Sequence, residues 1–140
     1  MKRFLLILVI ALTTLQVYGH GRRKFDPKKF EAELEQFIVT DAALTPQEAS
    51  AFFPIYKEMQ RKQRMQFNKV RRYRHVDIGD DKSCLEAIKN RDEAELEIKK
   101  LQQQYHLKFC EILPAKKVLR IIRAEDKFHR QAFRRATGRK

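Results

Sequence analysis

Helical periodicity is the feature that most constrains this chain. After residue 26, apolar residues recur at intervals of three and four positions, and no segment alternates apolar and polar residues as a half-buried strand does. Only four glycines and four prolines interrupt 140 residues, a length that suits one domain with a modest core. The sequence therefore predicts a single all-α domain.

The first two of four predicted helices have clear start signals. Asp26 caps the first helix, which carries Pro27 in its first turn and ends near Thr40. A capping box over residues 45–48, with proline at the first helical position, opens the second, and Pro54 is expected to bend that helix without ending it. Their predicted apolar positions are Phe30, Leu34, Phe37 and Ile38, then Phe52, Tyr56, Met59, Phe67 and Val70.

The third and fourth helices follow two further breaks. Residues 76–82, with Gly79 among them, separate the second helix from a third that we expect to open at a capping box of Ser83 and Glu86. Pro114 then starts the fourth helix. Their predicted apolar positions are Cys84, Ile88, Ile98, Leu101, Tyr105, Phe109 and Ile112, then Val118, Ile121, Ile122, Ala132 and Phe133.

The lengths of the second and third helices predict how they pack. Each is near 30 residues, or about 45 Å at the α-helical rise. Because the break between them is short, they must run antiparallel as a long helical hairpin. Two shorter helices cannot cover both sides of such a hairpin, so either one face stays open or a second subunit covers it. We therefore expect a homodimer.

The first residues have the pattern of a secretory signal peptide. Lys2 and Arg3 precede nine apolar positions, Phe4–Leu12, a run shorter than the roughly 20 residues of a membrane span. Small residues favour cleavage after Gly19, which predicts a signal peptide over residues 1–19 and a periplasmic protein that begins at His20. The alternative is an uncleaved membrane anchor.

The net charge points to anionic partners. The chain has 31 basic and 18 acidic residues, and removal of residues 1–19 leaves 29 basic residues and a net charge of +11. The domain over residues 20–137 ends in a basic tail, residues 138–140. Export argues against nucleic acid, so we expect anionic envelope surfaces, acidic peptides or unfolded chains, attracted over a distance that salt shortens.

A basic stretch in the second helix is the candidate binding surface. Residues 61–75 hold seven lysines and arginines and no acid. One interpretation is a solvated face that keeps the protein soluble. The other is a client-binding surface, since arginine stems beside methionine and an aromatic ring bind varied apolar and acidic segments without demanding one shape. Its candidate residues are Arg61, Arg64, Met65, Phe67, Arg71 and Arg72.

The fourth helix carries a second row of cations at intervals of three and four. This row allows contact with anionic lipid headgroups as an alternative to a solvated face. Its members are Lys116, Arg120, Arg123, Lys127, Arg130 and Arg134.

The two cysteines cannot pair within one chain if the third helix is continuous. Cys84 and Cys110 are 26 residues apart, or about 39 Å along a helix, whereas a disulfide needs Cα atoms within about 7 Å. An antiparallel dimer would allow Cys84 of one chain to meet Cys110 of the other. Free thiols are the alternative.

Catalytic and metal-binding patterns are not evident. His106 and Cys110 lie four residues apart, which is half of a metal site at most, and the other histidines are scattered. His129 falls on the apolar side of the fourth helix, where we expect a partly buried histidine. With only two serines and no phosphate-binding loop, we expect no enzyme activity, no cofactor and no bound metal.

One short motif resembles a known family. Leu44-Thr45-Pro46-Gln47-Glu48, followed by Phe52-Phe53-Pro54-Ile55-Tyr56, resembles the first LTxxQ signature of the CpxP/Spy-like periplasmic proteins. The fifth position here is glutamate, and the glutamine stands one position earlier. A second copy is expected between the third and fourth helices, where Ile112-Leu113-Pro114-Ala115-Lys116 has proline in place of threonine.

The resemblance implies a four-helix protein that pairs into a thin, cradle-shaped dimer. Family members act as ATP-independent chaperones for unfolded envelope proteins, as envelope-stress regulators or as metal-responsive sensors. The positive charge is similar to that of the chaperone members, so we expect a chaperone. The alternative is a sensor or regulator acting on an extracytoplasmic sigma-factor or two-component system, and zinc or copper handling is a third possibility.

Overall fold

The computed structural model describes residues 24–138, which form four α-helices and no β-strand. The helices are α1 (Pro27–Asp41), α2 (Pro46–Arg72), α3 (Asp81–Ile112) and α4 (Ala115–Thr137), with a 3-10 turn at Tyr73–His75 after α2. The prediction of an all-α protein with four helices is confirmed. The expected signal peptide, the start at His20 and the last two residues of the basic tail lie outside the described residues.

Side-chain caps fix the starts of α1 and α2 as the sequence predicts. The carboxylate of Asp26 accepts hydrogen bonds from the backbone N–H groups of Lys28 and Lys29, at 3.0 and 3.3 Å. At α2, the N–H of Glu48 donates to Thr45 Oγ1 (3.2 Å) and the N–H of Thr45 donates to Glu48 Oε2 (2.9 Å). Both bonds of the capping box are therefore present. The helix continues through Pro54 to Arg72.

The predicted N-cap of α3 is wrong by three residues. Asp80, not Ser83, is the N-cap, because its carboxylate accepts the N–H of Ser83 at 3.2 Å. Hydrogen bonds from the side chain and backbone of Ser83 hold the pKa of Asp80 below its usual value. The helix therefore begins at Asp81, and Glu86 takes no part in its cap.

Contacts between α2 and α3 pair residues in opposite chain order. The rings of Phe52 and Phe109 lie 4.7 Å apart, early in α2 and late in α3. At the other end, Tyr73 and Asn90 line the same groove between the two chain segments. Residues that come later along α2 thus lie beside residues that come earlier along α3.

Helices α1 and α4 pack together and close over one end of the α2–α3 pair. The Phe128 ring of α4 contacts Phe30 and Phe37 of α1, with centroids 5.2 and 5.5 Å apart. An ion pair between Lys57 and Glu35 (3.1 Å) joins α1 to α2. The aromatic cluster holds α1 on α4 through contact between large rings.

The core lies at that end of the molecule. Its members are Leu34, Ile38, Ala42, Leu44, Phe52, Tyr56, Met59, Leu101, Tyr105, Phe109, Leu113, Val118, Ile121, Ala124 and Phe128. We call residues 46–62 and 99–112 the packed half of α2 and α3, and residues 63–98 the distal half. Within the distal half only Gln63, Ala94 and Ile98 are buried.

Several residues predicted to be buried are exposed. Phe67 and Ile88 lie in the distal half, where neither α1 nor α4 covers them, and each is more than half exposed. Phe133 lies in the last turns of α4 and is 63% exposed. Ile112 is also exposed, at the end of α3. The partly buried residues among the predicted apolar positions include Val70, Cys84 and Ala132.

His129 departs from its expected position in the same way. Its side chain is about half exposed (51%), although the ring lies 5.9 Å from that of Phe30.

None of the helices within residues 24–138 is long and apolar enough to cross a membrane.

Candidate functional site

The six candidate client-binding residues lie in two neighbouring rows on α2. At about 100° per residue, Arg61, Met65 and Arg72 fall on the side directed away from the buried stripe. Arg64, Phe67 and Arg71 form the adjacent row, spaced by three and four residues. All six side chains are exposed, and together they are the α2 basic surface.

The ionic contacts of the α2 basic surface are uneven. Arg64 forms an ion pair with Glu31 of α1, so part of its charge is already neutralised within the protein. Within residues 24–138, Arg61, Arg71 and Arg72 have no acidic group within 4 Å. Three exposed guanidinium groups are therefore available to an external anion.

Two large apolar side chains stand among these cations. Met65 is 62% exposed, as predicted, and Phe67 is 53% exposed. Guanidinium groups bind carboxylates and also stack on aromatic faces, while methionine adapts to apolar surfaces of different shape. Side chains of these kinds are chemically complementary to segments that carry both acidic and apolar residues.

The residues of the first motif form the end of the turn between α1 and α2 and the first turn of α2. Leu44 is buried in the core, whereas Thr45, Pro46 and Gln47 are exposed at the start of α2. The turn before them has Ala43 in the left-handed region, with a φ of 51°. The N–H of Leu44 donates to the carbonyl of Val39 at 3.0 Å, so the turn is closed by backbone hydrogen bonds.

Lys117 of α4 joins this turn to the fourth helix. Its ammonium donates to the carbonyl of Ala43 at 2.9 Å and forms an ion pair with Glu48, whose other contact is the cap of α2. The Lys117 bond is the largest cause that lowers the pKa of Glu48, followed by the bond from Thr45. Sequence reasoning missed Lys117.

Residues 113–117, one position later than the expected second copy at residues 112–116, can be aligned with residues 44–48. If Leu113 corresponds to Leu44, then Pro114 stands in the position of Thr45 and Lys117 in the position of Glu48. Leu113 is buried as Leu44 is. In this alignment the last residues of the two segments, Glu48 and Lys117, form an ion pair with each other.

Two buried tyrosines place their hydroxyl groups on carboxylates at the edge of the core. Tyr105 donates to Glu58 at 2.7 Å, and Tyr56 donates to Glu125 at 2.9 Å. Bonds from Lys62 and then Tyr105 lower the pKa of Glu58 to about 2. Burial, with the negative charge of Glu125, raises the pKa of Tyr56 far above its usual value. Tyr56 therefore stays neutral, and both hydroxyl groups join one helix to another.

Thiol and imidazole groups do not converge in the described part of the chain. Cys84 and Cys110 are both free and lie on one continuous helix, α3. Burial lowers the pKa of His106, which is only partly accessible. Residues 24–138 contain no group of three or more histidine, cysteine, aspartate or glutamate side chains arranged to hold a metal ion.

Comparison with known proteins adds no relative: no protein-family model, curated protein or solved structure has significant similarity to the chain.

Proposed function

We propose that this chain is an exported, ATP-independent chaperone of the CpxP/Spy-like type, which binds unfolded or partly folded envelope proteins on the α2 basic surface. The observation that carries the proposal is the exposure of Met65 and Phe67 beside Arg61, Arg71 and Arg72, none of which has an acidic partner within residues 24–138. The LTxxQ-like motif and the signal-peptide pattern support the same family and compartment.

Weak, shape-tolerant binding follows from the chemistry of this surface. Unfolded chains expose apolar segments that a native protein buries, and Met65 and Phe67 provide apolar contact area without a preformed pocket. The arginines attract acidic segments over distances set by the ionic strength. Neither contribution needs nucleotide, and a folded client that reburies its apolar residues leaves the surface.

A homodimer is part of the proposal, with a cradle formed from the two long antiparallel helices of each chain. Leu85, Leu96 and Leu107 of α3 are each more than half exposed and recur every eleven residues, so they follow one line of the helix away from α2. A second copy of the chain that packs on this line would remove these side chains from water. Light scattering on residues 20–140 should return twice the chain mass, and a monomer at micromolar concentration would contradict the dimer.

Suppression of aggregation tests the chaperone activity. Residues 20–140 at equimolar or lower ratio should keep several unrelated, chemically unfolded proteins soluble without ATP. The triple variant Arg61→Glu, Arg71→Glu and Arg72→Glu reverses charge by six units and should lose most of this effect on acidic clients. Arg64 is left intact because its removal would break the ion pair with Glu31.

A charge-matched control separates this surface from net charge alone. The variant Arg123→Glu, Arg130→Glu and Arg134→Glu makes the same change on α4 and should retain activity. Circular dichroism must show that both variants keep their helices. If both variants lost the same share of chaperone activity, the net charge of the protein would explain the effect, and the α2 basic surface would have no specific role.

The sensor alternative predicts a different outcome. A regulator of an extracytoplasmic sigma-factor or two-component system would bind one envelope protein tightly and would fail to protect unrelated clients. That pair of results would replace the chaperone proposal.

A further inference from the structure

The outward side of α4 is a second cationic surface, separate from the α2 basic surface. The buried residues of α4, among them Val118, Ile121 and Phe128, follow one side of the helix. Five exposed cations occupy the opposite side and have no acidic group within 4 Å in the described residues. We call them the α4 row: Lys116, Arg120, Arg123, Arg130 and Arg134.

Lys127, which the sequence pattern includes in this row, is engaged elsewhere. Its ammonium pairs with Asp41 of α1 and lies 5.4 Å from the centre of the Phe37 ring. Its role is to hold α1 on α4. The first and last of the remaining five cations are eighteen positions apart, or about 27 Å along the helix. Among the described residues, Asp126 is the only exposed acidic residue on that side of α4.

Exposed apolar side chains flank the α4 row on one side. Leu119 is 48% exposed and Phe133 is 63% exposed, and helical spacing places both beside Arg123 and Arg130 rather than among the buried residues. Phe25, 68% exposed, lies at the same end of the molecule as Phe133. Its ring is tilted against that of Phe30 at 5.5 Å between centroids, and the Phe30 ring lies 5.9 Å from that of His129, one turn before Phe133.

The ligand that fits this arrangement is an extended anionic surface. The outer side of a single helix provides a line of charge rather than a cleft, so it does not select one small anion. Lipid headgroups offer many negative charges in one plane, and the apolar layer beneath them accepts partly inserted leucine and phenylalanine side chains. An acidic protein segment matches the cations but offers less to Leu119 and Phe133.

We propose that the α4 row, with Leu119 and Phe133, holds the protein against a membrane surface that contains anionic phospholipid. The apolar side of α4 remains in the core, so α4 lies on the headgroups without leaving the fold. The α2 basic surface is on another helix and takes no part in this contact.

Vesicle co-sedimentation of residues 20–140 tests the proposal. Pure phosphatidylcholine vesicles should bind little protein, and vesicles with about one third phosphatidylglycerol should bind it strongly at low ionic strength. Each cation near an anionic surface adds about fivefold to binding. The variant Arg123→Glu, Arg130→Glu and Arg134→Glu should therefore lose more than about 100-fold.

The matched variant Arg61→Glu, Arg71→Glu and Arg72→Glu has the same net charge and should lose much less, about tenfold at most, through the general field. Similar losses in the two variants would overturn the assignment to α4. Failure of the unmodified chain to distinguish the two vesicle types would overturn membrane binding as a whole. Neither result bears on client protection, which is measured without lipid.

The absence of tryptophan from the chain permits a local readout. Phe133→Trp places a single tryptophan on α4, and Phe67→Trp places one on α2 at a similarly exposed position. Anionic vesicles should shift the emission of the first to the blue and leave the second unchanged. The reverse pattern, or stronger binding to soluble polyglutamate than to vesicles, would contradict a membrane ligand.

Discussion

The two halves of the α2–α3 pair differ in what they exclude from water, although the same two helices form both. In the packed half, aromatic residues such as Phe52, Tyr56 and Phe109 are nearly inaccessible and contact residues of α1 and α4. In the distal half, Gln63 is buried, and Tyr73 and Asn90 line a polar groove. Apolar burial stabilises a fold far more than polar contacts do.

Along α2, the buried core residues and the exposed candidate binding residues therefore occupy different segments. The core residues of α2 extend as far as Met59, whereas Met65 and Phe67, about two turns further on, are exposed. A client that binds in the distal half does not need to displace core residues. Substitutions and exchange rates in the two halves test this separation.

Truncation of one phenylalanine in each half gives the largest contrast. Phe109→Ala removes a buried ring that contacts Phe52 and should lower the free energy of unfolding by about 3–5 kcal/mol. Phe67→Ala removes an exposed ring and should change it by less than about 0.5 kcal/mol. Urea denaturation followed by circular dichroism measures both. Similar losses would show that the distal half shares the core.

Hydrogen exchange resolves the two halves residue by residue. Amides of α3 between residues 99 and 112 should open only with the whole protein, whereas those between residues 81 and 93 should exchange at least about 100-fold faster, because few buried contacts hold them. The measurement needs residue-resolved NMR or mass spectrometry. Uniform protection along α3 would remove the distinction between the halves.

Lys117→Met tests the connection between the packed half and α4. Loss of the hydrogen bond to the Ala43 carbonyl should destabilise the protein by about 1–2 kcal/mol. Lys116→Met, at the exposed neighbouring position, is the control and should have almost no effect. The variant should also raise the pKa of Glu48, since its largest lowering cause is removed. An equal effect of both substitutions would assign the loss to charge alone.

The smallest effect concerns acid sensitivity at the boundary between the halves. The pKa of Glu58 is lowered from 4.5 to about 2, so its contribution is complete above pH 4.5 and is lost as the pH falls toward 2. In the Glu58→Gln variant, the free energy of unfolding should depend less on pH between 4.5 and 2. Tyr105→Phe removes only the hydroxyl and keeps the ring in the core, so it should raise the pKa of Glu58 without leaving a large cavity. NMR of the carboxyl carbon measures this pKa. An unchanged titration would exclude the Tyr105 bond as a cause.

Local signals allowed most of the secondary structure to be predicted. The caps at Asp26 and Thr45 were correct because each depends on side chains within three residues of the helix start. The start of α3 was wrong because Asp80 and Ser83 are both good caps, three positions apart. Asp80 accepts the N–H of Ser83 itself, so the helix begins closer to the N-terminus than predicted.

Burial and the links between helices were harder to predict. Periodicity identifies the apolar side of a helix but not where a neighbouring helix ends. Ile88 and Phe133 were therefore predicted to be buried, although residues 24–138 leave both more than half exposed. Phe128, central to the aromatic cluster, was left out of the predicted stripe. The Lys117 contact joins positions 69 residues apart, and only the alignment of residues 113–117 with residues 44–48 hints at it.

Because α3 is continuous, its two cysteines lie at a fixed distance that can be measured. Cys84 and Cys110 are separated by 26 residues of one helix, about 39 Å, and one lies in each half of the pair. Spin labels attached to both thiols would report that length in a single chain, and any further distance in the spectrum would belong to a neighbouring copy. The same pair of probes thus measures the integrity of the helix and the geometry of an assembly in one experiment.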